Sequence, residues 1–321
     1  MLPFRVISRL FVAKIIRGLG LCAGLLLAVT AAAEPLDQWT WRGLTPKESF
    51  AGSNYEGAVY EPATDTLVVV GNGFNALVRK PGDTAWRVRD VGSQRPLYSV
   101  ATANRVFYAV GARGTILVSK DAETWIARDS TVSVPLAAIT YTDSIFVAVG
   151  DGGMIVTSKV GGQWSVHRSG VIDPLHGVAF LNGIFISVGA NGIILRSEDG
   201  SYWLPQVCPT KNVLHGITVG QKRFVAVGDD GVILSSPDGE KWTLQNSGTA
   251  KSLYGVGYGQ GTFVAVGAEG TILTSTDGIT WKARPAGIRH FLKSVTFARN
   301  ACWVVGWNGA ILESGSLSGG K

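Results

Sequence analysis

Three observations in the sequence predict an all-β fold made of short strands repeated around a closed ring. A turn glycine recurs at nearly constant spacing, at Gly71, Gly111, Gly150, Gly189, Gly228, Gly267 and Gly306. A tryptophan recurs at constant spacing, at Trp86, Trp125, Trp164, Trp203, Trp242 and Trp281. The chain combines 42 glycines with 46% apolar residues, which suits many tight turns around a layered core. A long period built from short strands is typical of radial arrays, and seven glycines predict a seven-bladed β-propeller.

Residues 253–281 show how each unit supplies four antiparallel strands. The first strand is predicted over 253–258 and the second over 262–266, where apolar residues alternate with a period of two. Gly267-Ala268-Glu269-Gly270 follow as a hairpin turn, because glycine takes positive φ without steric cost. The third strand covers 271–275, Asp277-Gly278 make the next turn, and the fourth strand begins at Trp281.

The last unit lacks its own fourth strand, because its tryptophan position falls on Gly320. The missing pattern occurs near the other end of the chain, as Trp39-Thr40-Trp41-Arg42. We therefore predict that strand 39–42 completes the last blade and closes the ring, which removes exposed sheet edges. The propeller is expected over residues 34–314, and residues 315–321 are expected to form a flexible C-terminal tail.

The segment from Met1 to Ala33 has the pattern of a secretory signal peptide. It contains Arg5, Arg9, Lys14 and Arg17 with no acidic residue, then an apolar run that ends in Ala31-Ala32-Ala33. We predict cleavage after Ala33 and a periplasmic or secreted protein. Two alternatives stay open: an uncleaved anchor, although the run is shorter than the about 20 residues of a span, and a lipoprotein at Cys22, although Leu21 stands where a small residue is expected.

The basic character of the chain belongs mainly to this leader. The whole chain has 29 basic and 23 acidic residues, and without the four leader cations 25 basic residues remain. A nucleic-acid binder concentrates positive charge on one surface, so the sequence gives no reason to expect a nucleic-acid partner.

Cys208 and Cys302 are the cysteines that follow the leader. The repeat register places them in non-adjacent blades, whereas a disulfide needs Cα atoms within about 7 Å. We predict two free thiols.

The recurring tryptophans are interpreted as packing residues. Each buries roughly 150–250 Å², and a ligand platform would not need one tryptophan per blade. Three strings that end in these tryptophans, 197–203, 236–242 and 275–281, read Ser-x-Asp-Gly-x-x-Trp. They resemble the Asp-box hairpins of bacterial neuraminidase-like repeats, although they are one residue shorter. In that family the Asp box lies away from the catalytic centre, so the likeness implies architecture.

The whole unit, Phe-Val-Ala-Val-Gly-x-x-Gly-x-Ile-Leu-x-Ser-x-Asp-Gly-x-x-Trp, is similar to the seven-bladed propellers of the photosystem II stability and assembly factor family. The resemblance covers about residues 37–314 and rests on residues that build blades. It implies a non-enzymatic scaffold outside the cytoplasm that binds membrane-protein partners during assembly. The arginine-rich patch of the photosynthetic members has no residue-by-residue match in this sequence.

Function is expected where the repeats differ, on loops held by the rigid scaffold. The position after the recurring leucine reads Tyr98, Ala137, His176, His215, Tyr254 and Lys293, and these residues should surround the mouth of the central channel. The turns between second and third strands share that face. The predicted partner-binding residues are Tyr98, Arg113, Asp151, His176, His215, Asp229, Asp230, Tyr254, Glu269, Lys293 and Trp307. The competing interpretation of this set is solvated turn and rim residues.

Metal binding is the weaker interpretation of the same region. His176 and His215 are one repeat apart and could be joint ligands, but zinc needs three or four protein ligands and no third is evident. The Asp151-Gly152-Gly153 and Asp229-Asp230-Gly231 strings lack the oxygen spacing of a calcium loop and read as turns. We predict no metal and no cofactor.

The alternative function is a glycan-binding or glycan-hydrolysing propeller of neuraminidase type. A sialidase needs converging arginines, whereas Arg89, Arg128 and Arg284 share one outer-strand position, which predicts a ladder along the rim. Glycoside hydrolysis otherwise requires two carboxylates at a set separation in space, which the sequence alone does not show. The favoured prediction is an exported, monomeric, non-enzymatic scaffold. Its partner would be a protein, such as a membrane or envelope complex, with peripheral membrane association as an open alternative.

Overall fold

In a computed structural model the described residues, 34–44, 53–73, 75–142 and 144–317, form seven four-stranded antiparallel sheets. Successive first strands contact each other around the ring, so each sheet is one blade of a seven-bladed β-propeller. This confirms the predicted fold class. The predicted signal peptide, from Met1 to Ala33, lies outside the described residues, as do residues 318–321 of the predicted tail.

The four strand positions recur in every blade. The innermost strands are β2 (Tyr55–Glu61), β6 (Leu97–Ala103), β10 (Leu136–Tyr141), β14 (Leu175–Leu181), β18 (Leu214–Gly220), β22 (Leu253–Gly259) and β26 (Leu292–Ala298). The second strands are β3 (Thr66–Gly71), β7 (Val106–Gly111), β11 (Ile145–Gly150), β15 (Ile184–Gly189), β19 (Arg223–Gly228), β23 (Thr262–Gly267) and β27 (Ala301–Gly306).

The two outer positions are shorter. The third strands are β4 (Asn75–Arg79), β8 (Ile116–Ser119), β12 (Met154–Lys159), β16 (Ile194–Ser197), β20 (Ile233–Ser236), β24 (Ile272–Ser275) and β28 (Ile311–Ser314). The outermost strands are β5 (Arg87–Asp90), β9 (Ile126–Arg128), β13 (Ser165–Arg168), β17 (Leu204–Pro205), β21 (Thr243–Gln245), β25 (Lys282–Arg284) and, in the last blade, β1 (Trp39–Trp41).

Strand β1 closes the ring as predicted. It pairs antiparallel with β28, with Trp39 opposite Ser314 and Trp41 opposite Leu312. The backbone N–H of Arg42 donates to the carbonyl of Ile311 at 2.7 Å, so the ladder continues one residue beyond the strand. The last blade is therefore assembled from both ends of the propeller sequence.

Hydrogen-bonded structure continues past residue 314. Gly315 donates its N–H to the carbonyls of Pro35 and Gln38, and Leu317 donates to the carbonyl of Asn300. The side chain of Leu317 packs on the apolar cluster of the last blade. The residues of the expected tail that the structure describes, 315–317, are thus held by contacts with this blade.

The second strands form the core. In β23, for example, Phe263 to Val266 are fully buried, because the strand has a blade neighbour on each face and a paired strand on each side. Of the recurring tryptophans, Trp125, Trp164, Trp203 and Trp242 are buried, and Trp86 and Trp281 are partly buried against neighbouring apolar clusters. Their burial in the apolar clusters confirms a packing role, and the indole N–H of Trp203 also donates to the Gly200 carbonyl at 2.9 Å.

The aspartates of the Ser-x-Asp-Gly strings hold the hairpins between third and fourth strands. Asp199 accepts hydrogen bonds from the backbone N–H groups of Ser201 and Tyr202, and from the hydroxyl of Ser197. Asp238 and Asp277 repeat this pattern. Because several donors stabilise the carboxylate form, the pKa of Asp277 is lowered to about 2.

Helical structure is limited to single turns in the described part of the chain. Besides Pro35–Asp37, five three-residue 3₁₀ segments occupy the turns between second and third strands, at Ala112–Gly114, Asp151–Gly153, Ala190–Gly192, Asp229–Gly231 and Ala268–Gly270. No helix in the described residues is both long and apolar enough to cross a membrane. Both Cys208 and Cys302 are free, in agreement with the prediction from their separation.

Candidate functional site

The first strands of all seven blades line a central channel with a volume of about 320 Å³. One end of this channel is formed by the second residue of each first strand. We call these seven residues the channel mouth: Glu56, Tyr98, Ala137, His176, His215, Tyr254 and Lys293. Below them the wall consists of small and aliphatic residues, such as Gly177, Gly216 and Ile217. The mouth therefore places polar and aromatic side chains above a channel wall of mainly small and aliphatic residues.

Strand pairing explains why the turns between second and third strands share this face. Leu253 lies opposite Gly267 in the β22–β23 ladder, and the N–H of Ala268 donates to the carbonyl of Ser252. The same two contacts recur in blade five, between Leu214 and Gly228 and between Asp229 and Val213. Each turn is thus fixed beside the mouth residue of its own blade.

The glycine that precedes each of these turns has no room for a side chain. A Cβ atom on Gly267 would lie 2.1 Å from the carbonyl oxygen of Ser252, and the other six glycines meet the equivalent carbonyl at 2.0–2.1 Å. This close approach explains the glycine column that defines the repeat, since any side chain would push the turn away from the mouth.

An arc of five rings runs along the mouth from blade four to blade seven. Ring centroids are 5.8 Å apart for His176–His215, 5.2 Å for His215–Tyr254, 6.0 Å for Tyr254–Phe291 and 5.1 Å for Phe291–Trp307. We call His176, His215, Tyr254, Phe291 and Trp307 the aromatic arc. Aromatic rings at these separations attract each other.

Lys293 is held inside the aromatic arc. Its ammonium nitrogen lies 4.4 Å from the Tyr254 ring centroid and 5.4 Å from that of Trp307, and 3.8 Å from a carboxylate oxygen of Glu56. The indole N–H of Trp307 donates to the other oxygen of Glu56 at 2.8 Å. Cation–π and ionic contacts together fix these side chains across the junction of blades seven and one.

A second polar pair lies on blade five. Nε2 of His215 is 2.8 Å from Oδ1 of Asp229. Burial disfavours the charge on Asp229, but hydrogen bonds from His215 and Ser252 outweigh burial and lower the pKa of this carboxyl group. Burial raises the pKa of Tyr254, and the Asp229 charge raises it further. Asp229 is therefore a carboxylate and Tyr254 a neutral phenol near neutral pH.

The neighbouring mouth residues are also neutral. Burial lowers the pKa of His176, and the adjacent His215 lowers it further. Burial raises the pKa of Tyr98, as do the charges of Glu56 and Asp151. His176 therefore presents a neutral imidazole and Tyr98 a neutral hydroxyl group to the mouth at pH 7.

The structure separates the predicted residues into two groups. Tyr98, His176, His215, Tyr254 and Lys293 line the channel, and Asp229 and Trp307 contact them directly. Asp151 belongs with this group, because it occupies in blade three the turn position that Asp229 occupies in blade five.

The other predicted residues lie one position further along their turns. This second turn position has a positive φ, of 54° at Arg113, 55° at Asp230 and 53° at Glu269. All three side chains are exposed to solvent and do not line the channel. Glu269 pairs with Lys251 at 2.7 Å, and Asp230 accepts a hydrogen bond from Asn212. Arg113 lines a separate crevice beside Arg95 and Arg128.

The sequence did not reveal one residue of the channel mouth, Glu56, and one residue of the aromatic arc, Phe291. Glu56 is the mouth residue of blade one, where the spacing to Tyr98 is longer than the regular repeat and Tyr55 replaces the recurring leucine. Tyr55 is nevertheless opposite Gly71, as each leucine is opposite its own turn glycine, so alignment on the glycines would have found it. Phe291 precedes a recurring leucine, a position at which the other blades with this leucine carry proline, valine or serine.

The two histidine rings, of His176 and His215, lie side by side, with their centroids 5.8 Å apart. His215 is engaged with Asp229, and within the described residues no group of three or more histidine, cysteine, aspartate or glutamate side chains is arranged to hold a metal ion.

No protein-family model matches the chain, and no curated protein matches it. Several solved structures, in contrast, are similar to this chain. YCF48 from Cyanidioschyzon merolae is 17% identical, with a TM-score of 0.69 over 86% of this chain and 98% of that one. A structure of YCF48 bound to D1 peptide is 17% identical, with a TM-score of 0.71 over 89% and 96%.

Propellers of other kinds are equally similar. Virginiamycin B lyase from Staphylococcus aureus is 12% identical, with a TM-score of 0.74 over 87% of this chain and 99% of that one. The WD40 propeller domain of Doa1 is 14% identical, with a TM-score of 0.68 over 87% and 97%. A binding protein and an enzyme thus share the architecture, and at these identities the likeness establishes that this chain is a β-propeller without assigning its activity.

Proposed function

We propose that this protein is an exported, non-enzymatic scaffold that binds a segment of a partner protein at the channel mouth. The observation that carries the proposal is the aromatic arc with its fixed charges, set on a rigid ring above the channel. Aromatic residues and pre-positioned polar groups dominate protein recognition, because they bury large areas at small cost in side-chain entropy.

The arrangement of the carboxylates supports binding over glycan hydrolysis. Glu56 is engaged by Lys293 and Trp307, and Asp229 by His215. Glycoside hydrolysis uses a carboxylic acid whose pKa is raised so that it can donate a proton. Within the described residues, every carboxyl group with a shifted pKa is shifted downward, as for Asp229 and Asp199.

The similarity to YCF48 also supports the proposal. One of those structures contains a D1 peptide, so a propeller of this architecture binds a segment of another protein. Export would place the present scaffold among envelope proteins, and this part of the proposal rests on the leader-like segment that ends at Ala33.

A cross-linking experiment in the native envelope tests the proposal. A photoreactive amino acid replaces Asn191, which lies exposed at the second turn position of blade four, or the exposed Leu244 on an outermost strand as a control. We expect a discrete cross-linked partner from position 191 and none from position 244. N-terminal sequencing of the same material should begin at Glu34.

The matched variant combines Tyr98→Ala, His215→Ala and Tyr254→Ala. These side chains are only partly buried, so their loss should weaken the cross-link at position 191 at least about tenfold with a small change in Tm. Equal cross-linking by the parent and this triple variant would contradict binding at the mouth.

A further inference from the structure

Blades three and five carry the same acidic turn residue but different mouth residues. Asp151 is the first residue of the turn in blade three, and Asp229 is its equivalent in blade five. Their backbones are held alike, since each N–H donates to the carbonyl that precedes the first strand, at 3.0 Å and 2.9 Å. The two blades therefore allow a direct comparison of what the mouth side chain does for the acid beside it.

In blade five the acid has an internal partner. The imidazole of His215 reaches across the turn and places Nε2 2.8 Å from Asp229. In blade three the mouth residue is Ala137, whose methyl group carries no donor. No side-chain hydrogen bond or ion pair joins Asp151 to any residue that the structure describes, and its carboxylate is partly exposed.

The small side chain of Ala137 leaves a gap beside Asp151 at the channel mouth. The residues on either side of this gap carry uncharged rings. Tyr98 of blade two and His176 of blade four flank Ala137, and all three line the channel. Both rings are close enough to Asp151 for its charge to act on their ionisation. His176 is neutral near pH 7, because burial and His215 lower its pKa, so it does not supply the missing positive charge.

The cation already at the mouth is committed elsewhere. Lys293 belongs to blade seven, across the ring from blade three, where Glu56 and the Tyr254 and Trp307 rings hold it. The gap beside Ala137 thus contains the Asp151 carboxylate, which has no side-chain partner among the described residues, and lies between the rings of Tyr98 and His176.

We propose that this gap is a subsite for an arginine side chain of the bound partner segment, whose guanidinium group pairs with Asp151. The guanidinium group would then occupy in blade three the place that the His215 imidazole occupies beside Asp229 in blade five. Arginine suits the position because its planar cation forms paired hydrogen bonds with a carboxylate and stacks on aromatic rings. The inference rests on the proposed function, since it assigns the chemistry of one contact that the partner makes at the mouth.

A small probe tests the subsite without the natural partner. Nα-acetyl-arginine amide is titrated into the untagged protein while NMR follows the imidazole signals of its four histidines. Nα-acetyl-citrulline amide, which has nearly the same shape and no charge, is the matched probe. We expect a saturable shift of the His176 signal with the arginine probe and no saturable shift with citrulline.

Two variants change the subsite in opposite ways. Asp151→Asn removes the charge, and Ala137→His installs the internal partner that blade five has. Each should weaken binding of the arginine probe about tenfold, because the charge-assisted contact is lost or already occupied. Glu198→Gln, in an exposed hairpin at the other end of blade four, should bind like the parent.

Equal shifts with both probes, or undiminished binding of the arginine probe by Asp151→Asn, would overturn the subsite. The cross-linking experiment separates this failure from failure of the proposed function. A partner cross-linked at position 191 with no arginine response would leave mouth binding intact and remove the subsite. A saturable shift of the His176 signal that depends on Asp151, together with no cross-linked partner at position 191, would support the subsite. It would contradict the proposal that a protein binds at the mouth.

Discussion

At the scale of single residues, the mouth shows how one structural position acquires different chemistry in each blade. The backbone there is the same in all seven blades, since each mouth residue follows a residue paired with the turn glycine. The blades differ in the side chains that surround each mouth residue. His215 has an aspartate within hydrogen-bond distance, whereas burial and the adjacent His215 favour the neutral form of His176.

His176 should make the folding stability depend on pH. Its pKa is lower in the folded protein than in the unfolded chain, where it is near 6.5. As the pH falls below that value, the unfolded state takes up the proton first, so the free energy of unfolding decreases until the folded-state pKa is passed.

We therefore expect His176→Gln to flatten the decrease in stability between about pH 7 and pH 5, because glutamine does not titrate. Urea unfolding curves at several pH values measure this effect. An NMR titration of the His176 imidazole should independently give a midpoint below that of free histidine. An unchanged slope in the variant would show that His176 does not carry the effect.

At the scale of elements, neighbouring blades are joined by a repeated contact between a second strand and the next hairpin. A Cβ atom on Gly239 would lie 2.6 Å from Cδ1 of Ile186, and one on Gly278 would lie 2.9 Å from a methyl group of Val225. Blade three has the degenerate turn Val160-Gly161, and there Tyr108 takes the equivalent second-strand position. Its hydroxyl accepts a hydrogen bond from the N–H of Gly161 at 3.4 Å, so a larger side chain reaches the irregular hairpin.

Gly239→Ala tests this contact. Its φ of +77° makes any Cβ unfavourable, by about 1–2 kcal/mol, and the clash with Ile186 adds to that cost. The matched control is Gly248→Ala, which has a φ of +72° but no atom within 4 Å of the added Cβ.

We expect Gly239→Ala to reduce the free energy of unfolding by at least about 1 kcal/mol more than Gly248→Ala. Chemical denaturation of both variants gives the difference. Ile186→Val in the Gly239→Ala background should recover part of it, because it removes the methyl group that the new Cβ meets. Equal losses in the two single variants would mean that backbone strain accounts for the whole effect.

The arginines of the outermost strands also act between elements. Arg89 forms an ion pair with Glu123 of the next blade, and Arg284 pairs with Asp37 at 2.9 Å and with Glu34. The sequence predicted a ladder along the rim from the recurrence of these residues. The structure shows that two members of this ladder connect one blade to the next segment of the ring.

At the scale of the whole molecule, the ring is held shut at the junction between the two ends of the described chain. Strand β1 pairs with β28, Leu36 is buried in the core of the last blade, and the indole N–H of Trp39 donates to the Leu36 carbonyl. Arg42 pairs with Glu313 at 2.7 Å. Closure therefore combines a ladder, apolar burial and an exposed ion pair.

Deleting residues 37–44 should remove much of the folding cooperativity. The deletion leaves β28 as an open edge and exposes the apolar surface that Trp39 covers, and each kcal/mol lost lowers Tm by roughly 2–4 °C in a domain of this size. We expect a decrease in Tm of more than about 10 °C and a broader calorimetric transition.

The control for this deletion is Arg42→Met, which removes the exposed ion pair and keeps the strand. It should shift Tm by no more than a few degrees, because exposed ion pairs contribute about 0–1 kcal/mol. A deletion variant that melts at the parent temperature would show that the ring does not depend on its closing strand.

The repeat in the sequence was sufficient to predict the fold, including the strand that closes the ring. Turn glycines and buried tryptophans must recur at constant spacing because each blade packs against an equivalent neighbour, and that requirement is visible in one dimension. It also placed most mouth residues at one end of the channel, since strand alternation and turn position fix which end a residue occupies.

Which of those residues contact one another is visible only in the folded protein. Contacts across blade boundaries join residues far apart in the chain, such as Glu56 with Trp307, and no local pattern encodes them. The same limit applied to Arg113, Asp230 and Glu269, because one step along a left-handed turn rotates a side chain from the mouth to the outside. The difference between Asp229 and Asp151 likewise emerged from the side chain that each blade places beside the acid, His215 in one case and Ala137 in the other.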